Sequence, residues 1–447
     1  MKKNKLLRLF LLILICASCA KDQWYDPPPV GPGNNNSPYN LISPQIKIAV
    51  VSDIHYLDPA LMPDDYVTNE DFQKMMAGDR KLIELSDPIF RKAIEEIIDE
   101  GPDILMIPGD LSFNGEYSSH LIVSGFLEEI EAHGIKVYVV PGNNDIWSSE
   151  ALNYKTIPAS ETPNISLMQF TDIYQDFGYN EAIYRDDNSL SYICQPDENL
   201  WILGIDNFTY TENGDGTYTY KAAFKAGTMA WIQEKMAEAN SKNITVLAML
   251  HSGILEHYSG QKGLEGGYIS GFPARAPELL NVGIRLVFNG HHHGNDITEL
   301  SLGGKTLVNI ETGSLVTPLS PYRIITLDDN FLKVESRRIT SIDTELPSEM
   351  DFLTYSDLTI KSRLDKLFIN VAQNWFGHTL EEAQIIAPFI SRAWLAHFAG
   401  DENISPEELE GVQELSEFAN PALIGAINSI WTDLPPYSDN KIHIKLK

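Results

Sequence analysis

Five short apolar runs in this chain each stop on a turn carrying Asp, Asn or His. Residues 46–51 lead into Ser52-Asp53-Ile54-His55, and residues 103–107 into Pro108-Gly109-Asp110. Residues 136–140 lead into Pro141-Gly142-Asn143-Asn144-Asp145, 244–250 into His251, and 284–288 into Asn289-Gly290-His291-His292-His293. Runs this short, β-branched and without polar alternation, read as strands buried on both faces. In open α/β sheets ligands bind beyond the carboxyl ends of the strands. Five such ends in one sheet would gather these polar groups into a single cluster. Alternation along an extended chain would point Asp53 and His55 to the same side.

Helical patterns fall between the strands. Ser86-Asp87-Pro88 opens one, since proline is tolerated in a first turn. Phe90, Ala93, Ile94, Ile97 and Ile98 form its apolar face, and Gly101-Pro102 ends it. Val123, Phe126, Leu127 and Ile130 repeat the pattern up to Gly134, and Met229, Ile232 and Met236 repeat it after Thr228. Between the third and fourth motifs, residues 189–194 and 200–205 read as a hairpin around 195–199, and Asn213-Gly214-Asp215-Gly216 as a further turn. Runs at 305–310, 323–327 and 331–335 read as strands of a second sheet. From about residue 346 the pattern is helical. Ile360, Leu364, Leu367, Phe368 and Val371 share a face, residues 387–398 are aromatic-rich and core-forming, and Ser405-Pro406-Glu407-Glu408 reads as an N-cap with glutamate at N3. This tail shows no ligand cluster and reads as a packing domain or a wall of the substrate cleft.

The chain opens with Lys2, Lys3, Lys5 and Arg8, then an apolar stretch over residues 9–15 that is too short to span a bilayer, which needs about 20 residues. Cys16-Ala17-Ser18-Cys19 follows. It resembles a bacterial lipobox with Cys19 as the lipidated residue, although Cys16 stands where such boxes usually carry Leu; the alternative is an ordinary cleaved signal peptide. Asp26-Pro27-Pro28-Pro29-Val30-Gly31-Pro32-Gly33-Asn34-Asn35-Asn36 cannot bury a core and reads as a tether. At about 3.3 Å per residue it would hold a folded body tens of ångströms off a membrane. The formal net charge is −29, and removing residues 1–18 takes away four positive charges and no negative ones, leaving −33. A body so acidic repels DNA, RNA and anionic lipid, so no polymeric nucleic acid is expected as a partner. Once Cys16 and Cys19 are accounted for, only Cys194 remains, so no internal disulfide framework is expected. It reads as a packed strand residue.

In this order, D-x-H, G-D, G-N-x-D, a strand-terminal His and G-H-x-H resemble the calcineurin-like metallophosphoesterase superfamily. Gly109-Asp-Leu-Ser-Phe-Asn-Gly-Glu116, Asp176-Phe-Gly-Tyr179, Ser189-Leu-Ser-Tyr192 and Gly313-Ser-Leu-Val316 are similar to a bacterial branch of cyclic-nucleotide phosphodiesterase-like proteins with a helical C-terminal domain. The resemblance implies an α/β fold, a four-layer αββα sandwich followed by an α-helical domain. The implied organisation is a leader at 1–18, a tether at 19–45, the metallophosphoesterase domain at 46–345 and the helical domain at 346–447. It implies two divalent transition-metal ions. Asp53, His55 and His293 would hold one, Asn143, His251 and His291 the other, and Asp110 would bridge them. The mixed nitrogen and oxygen set suits Mn, Fe, Zn or Ni.

Two such metals about 3.5–4 Å apart neutralise a phosphate, supply a nucleophile near neutral pH and align the two. The expected substrate is therefore a small phosphoester, and a phosphodiester by resemblance, with membrane attachment through the lipid at Cys19. Phosphomonoesterase activity, or binding of a phosphorylated ligand with weak turnover, are the alternatives. Asn144 keeps the last one open. Family members usually carry a histidine there, which protonates the leaving oxygen, and an amide is no general acid near neutral pH. His292 is expected to point away. His120 and Asn114, close behind Asp110, are read either as contacts to the ligands or phosphate or as parts of a helix start.

Overall fold

A computed structural model of the chain describes residues 45–328, 331–400 and 402–445. The leader, Cys19 and the tether up to residue 44 lie outside the described residues. The first strands are β1 (Ile46–Val50), β2 (Ile104–Ile107), β3 (Lys136–Val139), β4 (Tyr184–Arg185), β5 (Tyr192–Asp197), β6 (Leu200–Gly204), β7 (Phe208–Glu212) and β8 (Tyr218–Ala222). Then come β9 (Thr245–Met249), β10 (Leu286–Asn289), β11 (Ile297–Leu302), β12 (Lys305–Glu311), β13 (Pro321–Leu327), β14 (Phe331–Arg338) and β15 (Lys441–Lys445). Two sheets result. One runs β15-β14-β13-β1-β2-β3 and the other β11-β12-β10-β9-β6-β5-β4. β1, β2 and β3 are mutually parallel, as are β6, β9, β10 and β12.

This corrects two expectations. The five motif-bearing strands divide between the sheets, with β1, β2 and β3 in one and β9 and β10 in the other. Of the three later runs, only the one around 305–311 joins the second sheet; β13 and β14 pair beside β1 in the first. The period-2 pattern explains how the sheets stack. Leu247, Met249, Phe288 and Ile310 join the core that contains β1 and β2. Val246, Ala248 and Val287 face the opposite way, onto a second core. That second core is closed by Ile232, Met236 and Ala239 of one helix and Ala276, Leu279 and Leu280 of another. The two sheets lie face to face with helices outside, which is the expected four-layer sandwich.

The helices that position the site are α1 (Glu70–Gly78), α2 (Ser86–Glu100), α3 (Tyr117–Ala132), α4 (Leu167–Ile173), α5 (Thr228–Lys242), α6 (Gln261–Leu264) and α7 (Arg275–Val282). α2 starts at Ser86 and ends on Gly101, whose φ of 57° supplies the left-handed cap. The C-terminal region adds α8 (Phe352–Phe376), α9 (Leu380–Ala399), α10 (Pro406–Leu415) and α11 (Pro421–Ile430). Ser405 and Glu408 form the expected capping box. The region does not end as helix. β15 pairs antiparallel with β14 and extends the first sheet. Cys194 is packed as expected, its thiol donating to the Gly178 carbonyl at 3.1 Å, with burial pushing its pKa up.

Candidate metal centre

All seven expected ligands stand just past the carboxyl ends of their strands: Asp53 and His55 after β1, Asp110 after β2, Asn143 after β3, His251 after β9, and His291 and His293 after β10. At five of them the backbone is left-handed, with φ of 50° at Asp53, 44° at His55, 51° at Asp110, 81° at His291 and 67° at His293. Each such non-glycine residue costs of order 1–3 kcal/mol and persists only where its surroundings over-determine it. Here they do. Asp53 N–H donates to Gly109 O at 3.2 Å and His55 N–H to Asp110 O at 3.0 Å, so the first two turns stay zipped beyond the sheet. The extended alternation expected for Asp53 and His55 does not occur; these left-handed turns swing both side chains inward. Gly290 permits the approach of the last turn, since a Cβ there would lie 2.1 Å from Asp53 Oδ2.

Asp53 Oδ1 is the focus of the cluster. The Nε2 atoms of His293, His55 and His251 lie 3.4, 3.7 and 3.9 Å from it. It is buried and has no hydrogen-bond partner among the described residues. Asp110 Oδ2 lies 3.6 Å from His55 Nε2 and 3.3 Å from His251 Nε2. His251 Nε2 is also 3.1 Å from Asn143 Oδ1 and 3.2 Å from His291 Nδ1. Asp110 Oδ2 thus faces both His55 and His251, and Asp53 reaches both as well: the donor atoms of Asp53, His55 and His293 lie within 4.8 Å of one another, as do those of Asp53, Asp110 and His251. Two metal–ligand bonds of about 2.1 Å meeting at roughly 90–110° span about 3.0–3.4 Å, close to these separations. Oxygen and nitrogen lone pairs crowded around an orphaned carboxylate oxygen fit a cation.

The electrostatics agree. Burial, then the Lys81 ammonium, lowers His55 to about 4. Burial, then His251, lowers His291 to about 3. Both rings are therefore neutral, the form that ligates. Burial also works against the charged form of His251, but Asp110 and Asp53 more than reverse it, and the ring is pushed up to about 10. Without a cation, His251 carries a proton beside two carboxylates; metal binding displaces protons in this way. The Pro108 carbonyl, 2.8 Å from His251 Nδ1, takes the other N–H and leaves Nε2 facing the cluster.

The calcineurin-like phosphoesterase family matches residues 46–295, more than half of the chain. The chain belongs to that family. No curated protein matches it. Among solved structures it is similar to a dimetal phosphatase from Danio rerio, at 13% identity over 66% of this chain and 96% of that one, with a TM-score of 0.48. It is also similar to a purple acid phosphatase from yellow lupin (Lupinus luteus) seeds, at 13% identity over 66% of this chain and 52% of that one, with a TM-score of 0.40. Metal-dependent phosphoester hydrolysis is the chemistry of the calcineurin-like phosphoesterase family.

Around the seven residues this phosphoesterase builds a supporting layer. Asn144 donates from Nδ2 to Asp110 Oδ2 at 2.7 Å and from its backbone N–H to Asp110 Oδ1 at 2.9 Å. The residue expected in place of a proton donor therefore orients the central carboxylate. Asp145, beneath it, accepts from Gly142 N–H at 2.8 Å and Ser112 N–H at 2.9 Å. His120 is buried within α3, 2.9 Å from Asp145 O, 3.0 Å from Ser112 Oγ and 2.8 Å from the Tyr174 hydroxyl. It supports the turn that carries Asn143 from within the first turn of α3, where its backbone N–H donates to Glu116 O at 3.1 Å. Asn114 donates its backbone N–H to Glu116 Oε2 at 2.9 Å. His292 points away as expected, 3.3 Å from Glu311 Oε2 and 3.0 Å from Gly266 O.

Sequence reading missed Asn207, whose Oδ1 accepts the His251 backbone N–H at 3.0 Å and whose Nδ2 donates to Ser252 Oγ at 2.7 Å. The signal was present, because residues 200–205 are another apolar run ending in Asp206-Asn207. It also missed the aromatic wall made by the β7–β8 hairpin. Tyr220 lies beside the Asn143 side chain. Trp147 stacks on Tyr218 at 4.3 Å and meets Tyr210 edge-on at 5.2 Å.

Proposed function

We propose that this phosphoesterase hydrolyses small phosphodiesters, with Asp53, His55 and His293 holding one divalent transition-metal ion, Asn143, His251 and His291 a second, and Asp110 shared between them. The observation that carries this reading is the convergence of three imidazole nitrogens on the orphaned Asp53 Oδ1. When bound, two such ions neutralise the phosphate and supply a nucleophile near neutral pH. The chain's own residues hold the geometry. Pro108 sets the His251 tautomer, Asn207 anchors the His251 backbone, and Asn144 fixes the rotation of Asp110. The aromatic wall beside Asn143 suits a base or aryl group on the diester, and cyclic nucleotides are the substrate class that the family branch suggests. The overall net charge of −29 leaves attraction of the phosphate to the metal cluster.

A second reading rests on Asn144. Its amide occupies the place of a proton donor and offers no acid near neutral pH. The protein would then bind phosphorylated ligands and turn them over weakly. Rates for aryl phosphodiesters, cyclic nucleotides and aryl phosphomonoesters with Mn²⁺ separate the possibilities. Faster turnover of diesters is expected. Faster turnover of monoesters selects a phosphomonoesterase, and binding without turnover of even a nitrophenyl ester selects the ligand-binding protein.

We also propose that the chain is lipid-anchored through Cys19 at a bacterial cell envelope, on the strength of the basic start, the apolar stretch and Cys16-Ala17-Ser18-Cys19. Mass spectrometry of the mature N-terminus is expected to find an acylated Cys19, lost in Cys19→Ser. A free N-terminus elsewhere means a secreted protein.

A further inference from the structure

A second buried cluster of ionisable groups lies where the helical region meets the second sheet. Asp296 stands at the start of β11, Glu402 follows α9, and Asp433 and Asp439 lie between α11 and β15. One carboxylate oxygen from each lies within 4.8 Å of the others. Asp296 and Asp439 are 0% exposed and Glu402 is 8% exposed. One oxygen of Asp296, of Glu402 and of Asp439 has a partner: Asp296 Oδ1 is 2.8 Å from His257 Nδ1, Glu402 Oε1 is 2.6 Å from His397 Nδ1, and Asp439 Oδ1 accepts from Ile297 N–H at 2.9 Å. Asp296 Oδ2, Glu402 Oε2 and Asp433 Oδ1 have no hydrogen-bond partner among the described residues. Asp296 Oδ2 points into the cluster, 3.9 Å from the same His397 Nδ1 that meets Glu402.

Burial disfavours the charged form of His397, yet Glu402 raises the imidazole to about 9, so one positive charge already sits beside these four carboxylates. It does not balance them; for all four to be ionised a further cation must join them. Burial, and after it the charges of Asp439, Glu402 and Asp433, pushes the Asp296 carboxyl well above its usual range. We propose that Asp296, Glu402, Asp433 and Asp439 bind one calcium ion that fastens the helical region to the phosphoesterase sandwich. The donor set decides the class of metal. Four carboxylates offer hard oxygens on flexible loops, which suits Ca²⁺; transition metals favour sites with nitrogen or sulfur, and here His397 Nδ1 is already committed to Glu402. The site lies outside the dinuclear cluster but touches its foundation. Asn295, two residues after His293, donates its backbone N–H to His397 O at 3.2 Å. The tail expected to lack ligands thus contributes three of the four.

The test is calcium binding and thermal unfolding of the full chain. Equilibrium dialysis against radioactive Ca²⁺, with Mn²⁺ present to fill the dinuclear centre, is expected to find about one Ca²⁺ per chain. The same stoichiometry is expected in Asp110→Ala, and none in Glu402→Gln/Asp433→Asn. Ca²⁺ a hundredfold above its Kd should raise the wild-type Tm by roughly 3 °C over an EGTA control, and leave the double variant where it was. If the double variant does not fold, Asp433→Asn alone, at the most exposed of the four, should weaken Ca²⁺ binding tenfold or more. The proposal is overturned if wild type binds no Ca²⁺, if binding survives the Glu402 and Asp433 substitutions, or if it disappears with Asp110→Ala. It is also overturned if, once Mn²⁺ has filled the dinuclear centre, further Mn²⁺ or Zn²⁺ added in place of Ca²⁺ produces the same shift, or if lowering the pH stabilises the chain while Ca²⁺ does nothing, which would mean that the carboxylates share protons.

Discussion

Among the described residues, two clusters of ionisable side chains stand three positions of sequence apart: His293 belongs to one and Asp296 to the other. They are built differently. The first mixes imidazole nitrogens with carboxylate and amide oxygens, and five of its seven residues sit in left-handed backbone. The second is all carboxylate, and none of its four residues is left-handed. Strain of order 1–3 kcal/mol per residue is retained where atoms must be aimed, as at a reacting centre. A site that only has to join two parts of a fold can be made from relaxed loops. Backbone conformation and donor type together separate a centre that does chemistry from one that holds structure.

The largest effect should come from breaking the first cluster alone. Asp110→Ala removes the carboxylate that faces both histidines, at 3.6 Å from His55 and 3.3 Å from His251. Metal activation is worth several kcal/mol, so kcat/KM for an aryl phosphodiester should fall roughly 10³-fold or more. Transition-metal content should fall with it. If the response to Ca²⁺ falls too, the two clusters form one cooperative unit and the contrast between them fails.

The clusters also differ in how far the sequence reveals them. The first is legible because each strand and its turn fall in one local window; the grammar of an apolar run ending in Asp, Asn or His marks the turns that carry all seven residues, the family resemblance selects those seven from them, and the same grammar applied at residues 200–207 marks Asn207. The left-handed turns at Asp53 and His55 were not legible, because Asp and His, although enriched at positive φ, adopt it at only a small minority of positions. Helices α2, α3 and α5 follow from their 3.6-residue period and their glycine or asparagine ends. The assignment of strands to sheets does not follow, since alternation states that a strand is buried but not against which partner; β13 and β14 reach β1 only through tertiary pairing. The alternation of Lys441-Ile442-His443-Ile444-Lys445 was readable as a strand, but it follows a long helical stretch. Asp296, Glu402, Asp433 and Asp439 share no spacing, so only folding reveals them.

A smaller change sharpens the assignment of chemistry to the first cluster. Asn144 can orient Asp110 but cannot protonate a leaving oxygen. The wild-type rate should therefore fall steeply as the leaving group changes from nitrophenolate to an alkoxide. Asn144→His should restore mainly the poor leaving groups, by about 10²-fold, the usual size of a general acid's contribution. Measuring kcat/KM across aryl and alkyl phosphodiesters for both proteins decides it. A shallow dependence in wild type, with no selective gain from histidine, would mean that the proton comes from elsewhere. His120 and His257 are poor candidates, because the first is buried beneath the Asn143 turn and the second faces Asp296.

The smallest effect uses Glu116 as a control for the carboxylate cluster, because it is a single buried carboxyl with no cation to gain. Its Oε2 accepts from Asn114 N–H at 2.9 Å, while Oε1 has no partner among the described residues. Burial raises it from 4.5 to about 7, with Asp145 adding to the rise and the Asn114 N–H and Lys81 opposing it. The native chain therefore keeps a proton that the unfolded chain has already lost between those two values. Stability must fall as pH rises from 4.5 towards about 7, by about 3 kcal/mol at most, and this contribution is flat above. Glu116→Gln keeps the neutral form at every pH. Its Tm should match wild type near pH 4.5 and exceed it by a few degrees at pH 8, with no change in the response to Ca²⁺. Equal Tm values at both pH values would show that Glu116 is charged in the native chain, and burial alone would then not suffice to protonate a carboxyl here. The same argument bears on the second cluster, whose carboxylates avoid protonation only if a cation takes the place of the proton.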